Sequence, residues 1–526
     1  MDNYRIIQFF NTVKYLKVKQ VFFRLYYFLK SRVFKKSPIT RTPSNSIPII
    51  WENIIDNYTS FNITSLTFNF LNISHSFKKE INWNYDHHGK LWTYNLNYFD
   101  FLNQEKIVKE DGLLLIKSFI QKKASVIDGN EPYPISLRCY NWVKFLSKHK
   151  IRNIEIDNIL YNDFIFLFKN LEYHLLGNHL LENTFSLLFG SYYFQDKNLY
   201  LKSKKLIKKE LDEQILNDGG HFELSPMYHQ TLLFRLLDCI NLIKLNKSWI
   251  VDDFVIFLEK KASLMYSWLK HITYQNGDIP MVNDSTFMIA PSSKNLFDLS
   301  KKLSINFDLL PLSDSGYRKI NSKKYELFID VGNIGPDYQP GHSHSDTFNF
   351  ELRLNKLPFL VDTGISTYEK NEIRQNERST VSHNTVMINN IEQTDVWGGF
   401  RVGRRAKILN IIENEAQITA NHNGYKNIGI NHERIFKWCD NKIEIKDSLN
   451  KSSKAKAFFH LHSSINKPRI KNETVFLVGL GVNISFSNHS NIEIRKYKLS
   501  HGFNRKKLAF KIIVDFNQTL LTQIHL

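Results

Sequence analysis

Cysteine is nearly missing from the chain: Cys139, Cys239 and Cys439 are the only three in 526 residues. They lie far apart, their odd number excludes a fully paired set, and no CxxC occurs. Neither a disulfide framework nor a thiolate zinc site is indicated, and the three are expected as small core residues. Acid is also short, with 51 Asp and Glu against 70 Lys and Arg, a formal +19. Such an excess draws in anions, whether nucleic acid, a membrane surface or an acidic polysaccharide. Long apolar runs are absent, so no stretch reads as a membrane span. In the opening MDNYRIIQFFNTVKYLKVKQVFFRLYYFLKSRVFKK, Asp2 is the one acid, and Lys14, Lys17, Lys19, Arg24, Lys30 and Arg32 interrupt every apolar stretch. No signal-peptide core and no small-residue cleavage site is visible there, which sets the expectation of a cytoplasmic protein or one peripheral to the inner membrane. The same segment, a basic helix with Phe, Tyr and Leu on one side, reads either as lying on an anionic membrane face or as packing on the body.

What is present fits a folded two-domain protein. The length exceeds one ordinary core. Hydrophobic residues make up 42% and charged residues 23%, and the 14% aromatics fill cores, with a few rings free to stack on sugar faces. Residues 1–50 read as a basic segment followed by SPITRTPSNSIPII, a proline-containing linker or extended segment. From about 100 to 300, seven stretches from LLLIKSFIQKKA to DDFVIFLEKKASLMYSWLKHI repeat apolar residues at i, i+3, i+4 and i+7. Helices of that number cannot bury their faces in pairs, so residues 51–310 are expected to form a helical array or toroid. Near 315 the texture changes to short, alternating, β-branched segments separated by turn residues. Residues 311–526 therefore read as a C-terminal antiparallel β-sandwich.

Three clusters carry candidate chemistry. In QPGHSHSDTFNFEL, an HxH at a strand start would put His342 and His344 on one face, since side chains alternate. With Asp362 from LVDTG and His383 from VSHNTVMI, this reads either as a nitrogen-and-oxygen zinc site or as hydrogen-bonded histidines. In GNHLLEN, Asn178, His179, Glu182 and Asn183 read most simply as an inter-helix turn with its capping residues. In DGGHFELSPMYH, Gly219 and Gly220 bend the chain and Pro226 suits a first helical turn. His221, Glu223, Tyr228 and His229 crowd that polar loop, the sort of place where binding groups lie.

Together these blocks, with LWTYNLNYFDFL, EPYPISLRCYNWVKFL and NGDIPMVNDS, resemble the heparinase II/III-like polysaccharide lyases over nearly the whole chain. The resemblance implies an N-terminal (α/α) toroid of helical hairpins followed by a C-terminal antiparallel β-sandwich, and cleavage of an acidic, uronate-containing polysaccharide by β-elimination. It implies catalytic roles for Asn178, at the substrate carboxylate, and for His179, Tyr228 and His342. It also implies a structural zinc on His344, Asp362 and His383, and substrate contacts from Glu182, Arg138 and Tyr368. The chemistry suits these residue types. An amide at the carboxylate accommodates charge developing as C5 loses its proton. A base must reach that proton, with His342, Tyr228 and His179 all open, and Tyr228 can return one to the oxygen leaving C4. The rivals are a zinc-dependent carbohydrate hydrolase using a metal-bound water, a non-catalytic polysaccharide-binding or assembly protein, and a nucleic-acid binder, for which no motif is found. The missing export signal directs the expectation to the cell's own capsule or surface polysaccharide.

Overall fold

The computed structural model describes residues 3–33, 41–55, 58–477 and 479–526. All seven helices expected from apolar spacing are there: Lys109–Lys122, Pro132–Lys148, Ile154–Lys169, Gly177–Phe194, Lys197–Gln214, Pro226–Leu245 and Phe254–Ile272. Gly177–Phe194 is buried along nearly its whole length, as a central helix must be. It packs on Pro132–Lys148, Lys197–Gln214 and Pro226–Leu245. At Gly190 a Cβ would come within 2.6 Å of the Phe164 ring, so the neighbouring helix Ile154–Lys169 approaches more closely than any side chain would permit. One continuous apolar core runs through these helices.

The sequence reading needs three corrections. Residues 61–76, assigned above to the helical half, form a small antiparallel sheet of Phe61–Asn62, Thr67–Phe70 and Ile73–Ser76. Its alternation buries Phe68 and Phe70, and these rings pack on Phe101 and Trp92. Of the two readings of residues 37–50, linker or extended segment, the described residues 41–50 follow the second. Ile49 is buried, and the Ile47 amide donates to the Tyr193 carbonyl at 2.8 Å, so this extended stretch is tied to the helical body; residues 34–40 lie outside the described set. Cys139 and Cys239 are buried as expected, but Cys439 is exposed, because it ends strand Ile430–Cys439 at a hairpin turn. The segments VNISFSN and LAFKIIVDF, taken as separate short strands, belong to two long paired strands, Val482–Ser500 and Lys506–His525. The polar run between Ser487 and Asn491 is a register shift inside the ladder rather than a turn, as bulges allow.

The β half contains two antiparallel sheets. A four-stranded sheet runs Tyr317–Asn321, Tyr325–Asp330, Phe350–Leu354, Leu357–Leu360. A ten-stranded sheet has Ile430–Cys439, Lys442–Leu449 and Lys506–His525 at its centre. Along Gln417–Tyr425 burial alternates residue by residue, so that one face turns inward. Inward residues of both sheets share one core, with Phe350 against Phe436 and Phe459, which makes a sandwich. The two halves are bonded together: Tyr317 Oη donates to the Leu224 carbonyl at 2.6 Å, and Tyr274 Oη donates to Glu351 at 2.7 Å.

Candidate active site

The helical half supplies its groups from the first turns of two helices. The chain enters Gly177–Phe194 through Leu176 and Gly177, with φ of 66° and 57°. A Cβ on Gly177 would lie 2.7 Å from Glu223 Oε1, so glycine is required on both counts. Asn178 and His179 follow at the helix N-terminus, whose partial positive charge favours an anion. The Asn178 backbone amide donates to Glu223 Oε1 at 3.4 Å. Its side-chain Oδ1 is buried and has no hydrogen-bond partner among the described residues. His179 Nδ1 lies 3.1 Å from Glu172 Oε1, and its ring is 4.6 Å from that of Tyr133. Burial works against a charged His179, but Glu172 outweighs it and the pKa is raised.

The loop before the second helix is locked by its own histidines. His229 Nδ1 accepts from the His221 amide, so Nε2 carries the proton and donates to the Met265 carbonyl at 3.0 Å. Burial holds the His229 pKa at about 3, in keeping with a neutral ring. Gly219 has φ 87°, and a Cβ there would meet the Leu264 carbonyl oxygen at 1.9 Å. Ser225 caps helix Pro226–Leu245 by accepting from the Tyr228 amide. The ring of Tyr228, in that first turn, sits 4.1 Å from that of His342. Its hydroxyl is 3.1 Å from that of Tyr368. Burial, opposed by the bond to Tyr368, pushes the Tyr228 phenol up, so it stays protonated at neutral pH.

The sandwich half contributes groups held by a carboxylate not singled out from the sequence, Asp284, which itself precedes the sandwich in the chain. His342 Nδ1 is 2.7 Å from Asp284 Oδ2 and His344 Nε2 is 2.9 Å from Oδ1. Arg374 reaches the same carboxylate with both terminal nitrogens, at 2.5 and 2.7 Å. Burial alone would raise the Asp284 pKa, but Arg374 and the two histidines hold it well below the ordinary value. An ionised carboxylate only accepts, so His342 carries its proton on Nδ1 and His344 on Nε2. The free lone pair of His342 is therefore on Nε2, 3.6 Å from Glu223 Oε2. The HxH does not start a strand, since residues 341–349 are irregular and the strand begins at Phe350. The two imidazoles share a side because both grip Asp284, not because of pleating.

Asn178, Tyr228, His342 and Tyr368 are thus joined through Glu223 and direct contacts, and Tyr133 adjoins His179. Tyr133, His179, Tyr228 and Tyr368 are the partly exposed members, which turns rings toward solvent. Glu182, one helical turn beyond Asn178, is buried and paired with Arg235 at 3.4 Å. Arg138 does not join them, which corrects its assignment as a substrate contact. It is fully buried over the Phe119 ring, donating to the Gly129 carbonyl at 2.6 Å and to Asp163 at 3.2 Å. Sequence reasoning missed Asp284 and Arg374 as site residues. The quoted block NGDIPMVNDS held Asp284, but nothing marked it; Arg374, in NEIRQNER, gave no signal.

The zinc expectation meets mixed geometry. His383 Nδ1 is 2.7 Å from Asp362 Oδ2, and the rings of His344 and His383 are 5.3 Å apart. His344 Nδ1 and His383 Nε2 are buried without hydrogen-bond partners, so two imidazole nitrogens fit a metal in kind. Asp362, however, is engaged by His383, Asn349 and the Gly364 amide. No three such side chains converge as a metal site among the described residues.

A helical array whose first turns meet histidines from an antiparallel sandwich defines the class of protein. The chain belongs to the heparinase II/III-like family: "Heparinase II/III N-terminus" matches residues 156–303 and "Heparinase II/III-like, C-terminal" matches residues 305–525. A heparin-sulfate lyase of Bacteroides stercoris is 25% identical over 338 residues, 57% of this chain and 47% of that protein. One from Bacteroides thetaiotaomicron is 23% identical over 336 residues, 56% and 46% of the two chains. The chain thus spans about half the length of the curated relatives it matches. The solved structure of heparinase III superposes with a TM-score of 0.63 at 16% identity, covering 86% of this chain and 80% of that one. For the heparan sulfate lyase of Pedobacter heparinus the TM-score is 0.55 at 15% identity, covering 86% and 79%. These last likenesses speak for the fold.

Proposed function

We propose that the protein is a polysaccharide lyase that cleaves a uronate-containing chain by β-elimination. The observation that carries this reading is the hydrogen-bonded series from Asp284 to His342, with the protonated Tyr228 ring against it and the Asn178 amide beside Glu223. Asp284 fixes the tautomer that leaves His342 Nε2 free to take the C5 proton. The C5–H electron pair becomes the C4–C5 double bond, the C4–O bond breaks, and Tyr228 returns a proton to the departing oxygen. Asn178 and the helix N-terminus stabilise the substrate carboxylate as charge builds on it. His179, held by Glu172, lies beside the same group. The +19 charge favours a polyanion, and the finer reading places the substrate among capsule or surface polysaccharides.

A zinc ion on His344, Asp362 and His383 belongs to the same proposal; when bound it would supply charge that ties these segments together, and no step of the reaction passes through it. Support for it comes from the two unpartnered imidazole nitrogens. Metal analysis of the purified chain should find about one zinc per molecule, and His344→Ala should lose it; equal metal content in the two proteins removes the assignment.

The function is tested on a panel of uronate polymers followed by the near-ultraviolet absorbance of the unsaturated product. Wild type should give a signal on at least one polymer and Tyr228→Phe should lose at least about a hundredfold. Chain cleavage without absorbance would mean hydrolysis, and equal rates for the two proteins would remove Tyr228 from the reaction.

A further inference from the structure

The N-terminal helices Asn3–Val13 and Val18–Val33 are inside out. Their inward face is polar. Gln20 is 0% exposed and donates to the carbonyls of Leu175 and Tyr338. Thr12 Oγ1 donates to the Val402 carbonyl at 3.0 Å, and Tyr27 Oη to the Leu171 carbonyl at 2.6 Å. Their outward face is apolar: Ile7 is 60% exposed, Phe10 67%, Val18 85%, Leu25 59% and Leu29 57%. In Val18–Val33 the residues Val18, Phe22, Leu25 and Leu29 recur at the spacing of a single helix face. A helix that merely packs on its protein puts such a stripe inward, and a contiguous exposed stripe marks a contact surface.

Charge selects the occupant. From residue 3 to residue 51 there is no Asp or Glu, while Arg5, Arg24 and Arg32 are exposed on these helices and Lys14 in the turn between them. A second copy meeting this face about a two-fold axis would oppose like charges. Lipid headgroups of negative charge would neutralise them. No helix among the described residues is long and apolar enough to cross a membrane, which leaves attachment in the interface plane. We propose that this face docks on an anionic lipid membrane, with the apolar stripe at the headgroup–acyl boundary and the body held above it through the polar inward face. The sequence left membrane contact and packing on the body as alternatives; here the helices do the second with one face and are free for the first with the other. This inference is independent of the eliminative chemistry.

The test is co-sedimentation of the full chain with vesicles of phosphatidylcholine mixed with phosphatidylglycerol, and with vesicles of phosphatidylcholine alone. Binding is expected to the mixed vesicles and to be at least about tenfold weaker to the neutral ones. The set Phe10→Ser, Leu25→Ser, Leu29→Ser should lower partition at least about tenfold. The set Arg5→Gln, Lys14→Gln, Arg32→Gln should lower it by about a hundredfold. Should the serine set fail to fold, the glutamine set decides. The proposal is overturned by equal partition onto the two kinds of vesicle, by no effect of the glutamine set, or by a dimer in sedimentation velocity that the serine set dissolves.

Discussion

The helical face of the site is positioned by neighbours close in the chain, whereas the sandwich face is positioned by one carboxylate from far away. His179 is held by Glu172, 7 residues back, and the Tyr228 amide by Ser225, 3 residues back. His342 and Arg374 are held by Asp284 across 58 and 90 residues. The first face follows local rules of caps, glycine turns and helix starts. The second rests on a buried ion whose partners come from two other segments, His342 with His344 and Arg374. Local devices are worth about 1 kcal/mol each, so losing one should leave the rest standing. A buried ion with four donors has no such redundancy, because removing one partner leaves the others desolvated and unpaired.

Asp284→Asn is the sharpest way to test that difference. The neutral amide cannot accept from all of its four donors, so His342 loses its fixed tautomer and Arg374 its counter-charge. Activity on a responsive polymer should fall by about 10³ or more, and the midpoint of chemical unfolding should drop by the equivalent of about 3–5 kcal/mol. An asparagine enzyme that retains most of its rate would show that His342 does not depend on Asp284, and the sandwich face would then be as loosely held as the helical one.

On the helical face the role proposed for Asn178 is toward substrate rather than protein. Asn178→Ala removes an amide whose Oδ1 has no protein partner among the described residues, so unfolding should shift little. The rate should still fall by about 10²–10³ through loss of carboxylate stabilisation. A large loss of stability with unchanged rate would reverse the roles, making Asn178 a structural capping residue, which was the simpler reading of GNHLLEN.

The same contrast governs how much was legible in the sequence. Helix spacing, the change to β texture and the glycine-bounded loops are local signals, and the seven long helices and the sandwich follow from them. The groups on the helical face sit inside short motifs, so they were found. Asp284 and Arg374 lie in stretches with no periodicity or spacing to mark them, and only folding brings them to His342. Arg138 failed for the converse reason. Its place in a helix, between Leu137 and Cys139, gave no hint that Asp163 and the Gly129 carbonyl would take up its guanidinium. The sheet at 61–76 was missed because its strands of two to four residues are too short for alternation to stand out.

The smallest effect is expected where the two faces touch. Ser225 Oγ caps the Tyr228 amide, donates to the Asp284 backbone carbonyl at 2.9 Å, and lies 3.1 Å from Ser285 Oγ. Ser225→Ala removes the cap and leaves a buried carbonyl short of one donor. Together these should cost about 1–2 kcal/mol in unfolding measurements. The Tyr228 ring would still rest on His342, and the Asp284 carboxylate would keep its four donors, so the rate should change less than about tenfold. A loss approaching that of Asp284→Asn would mean that the backbone carrying Asp284 is steered from the helical side. The two faces would then be one mechanical unit joined through a single hydroxyl, and the distinction between local and long-range support would fail at the point where it matters to the reaction.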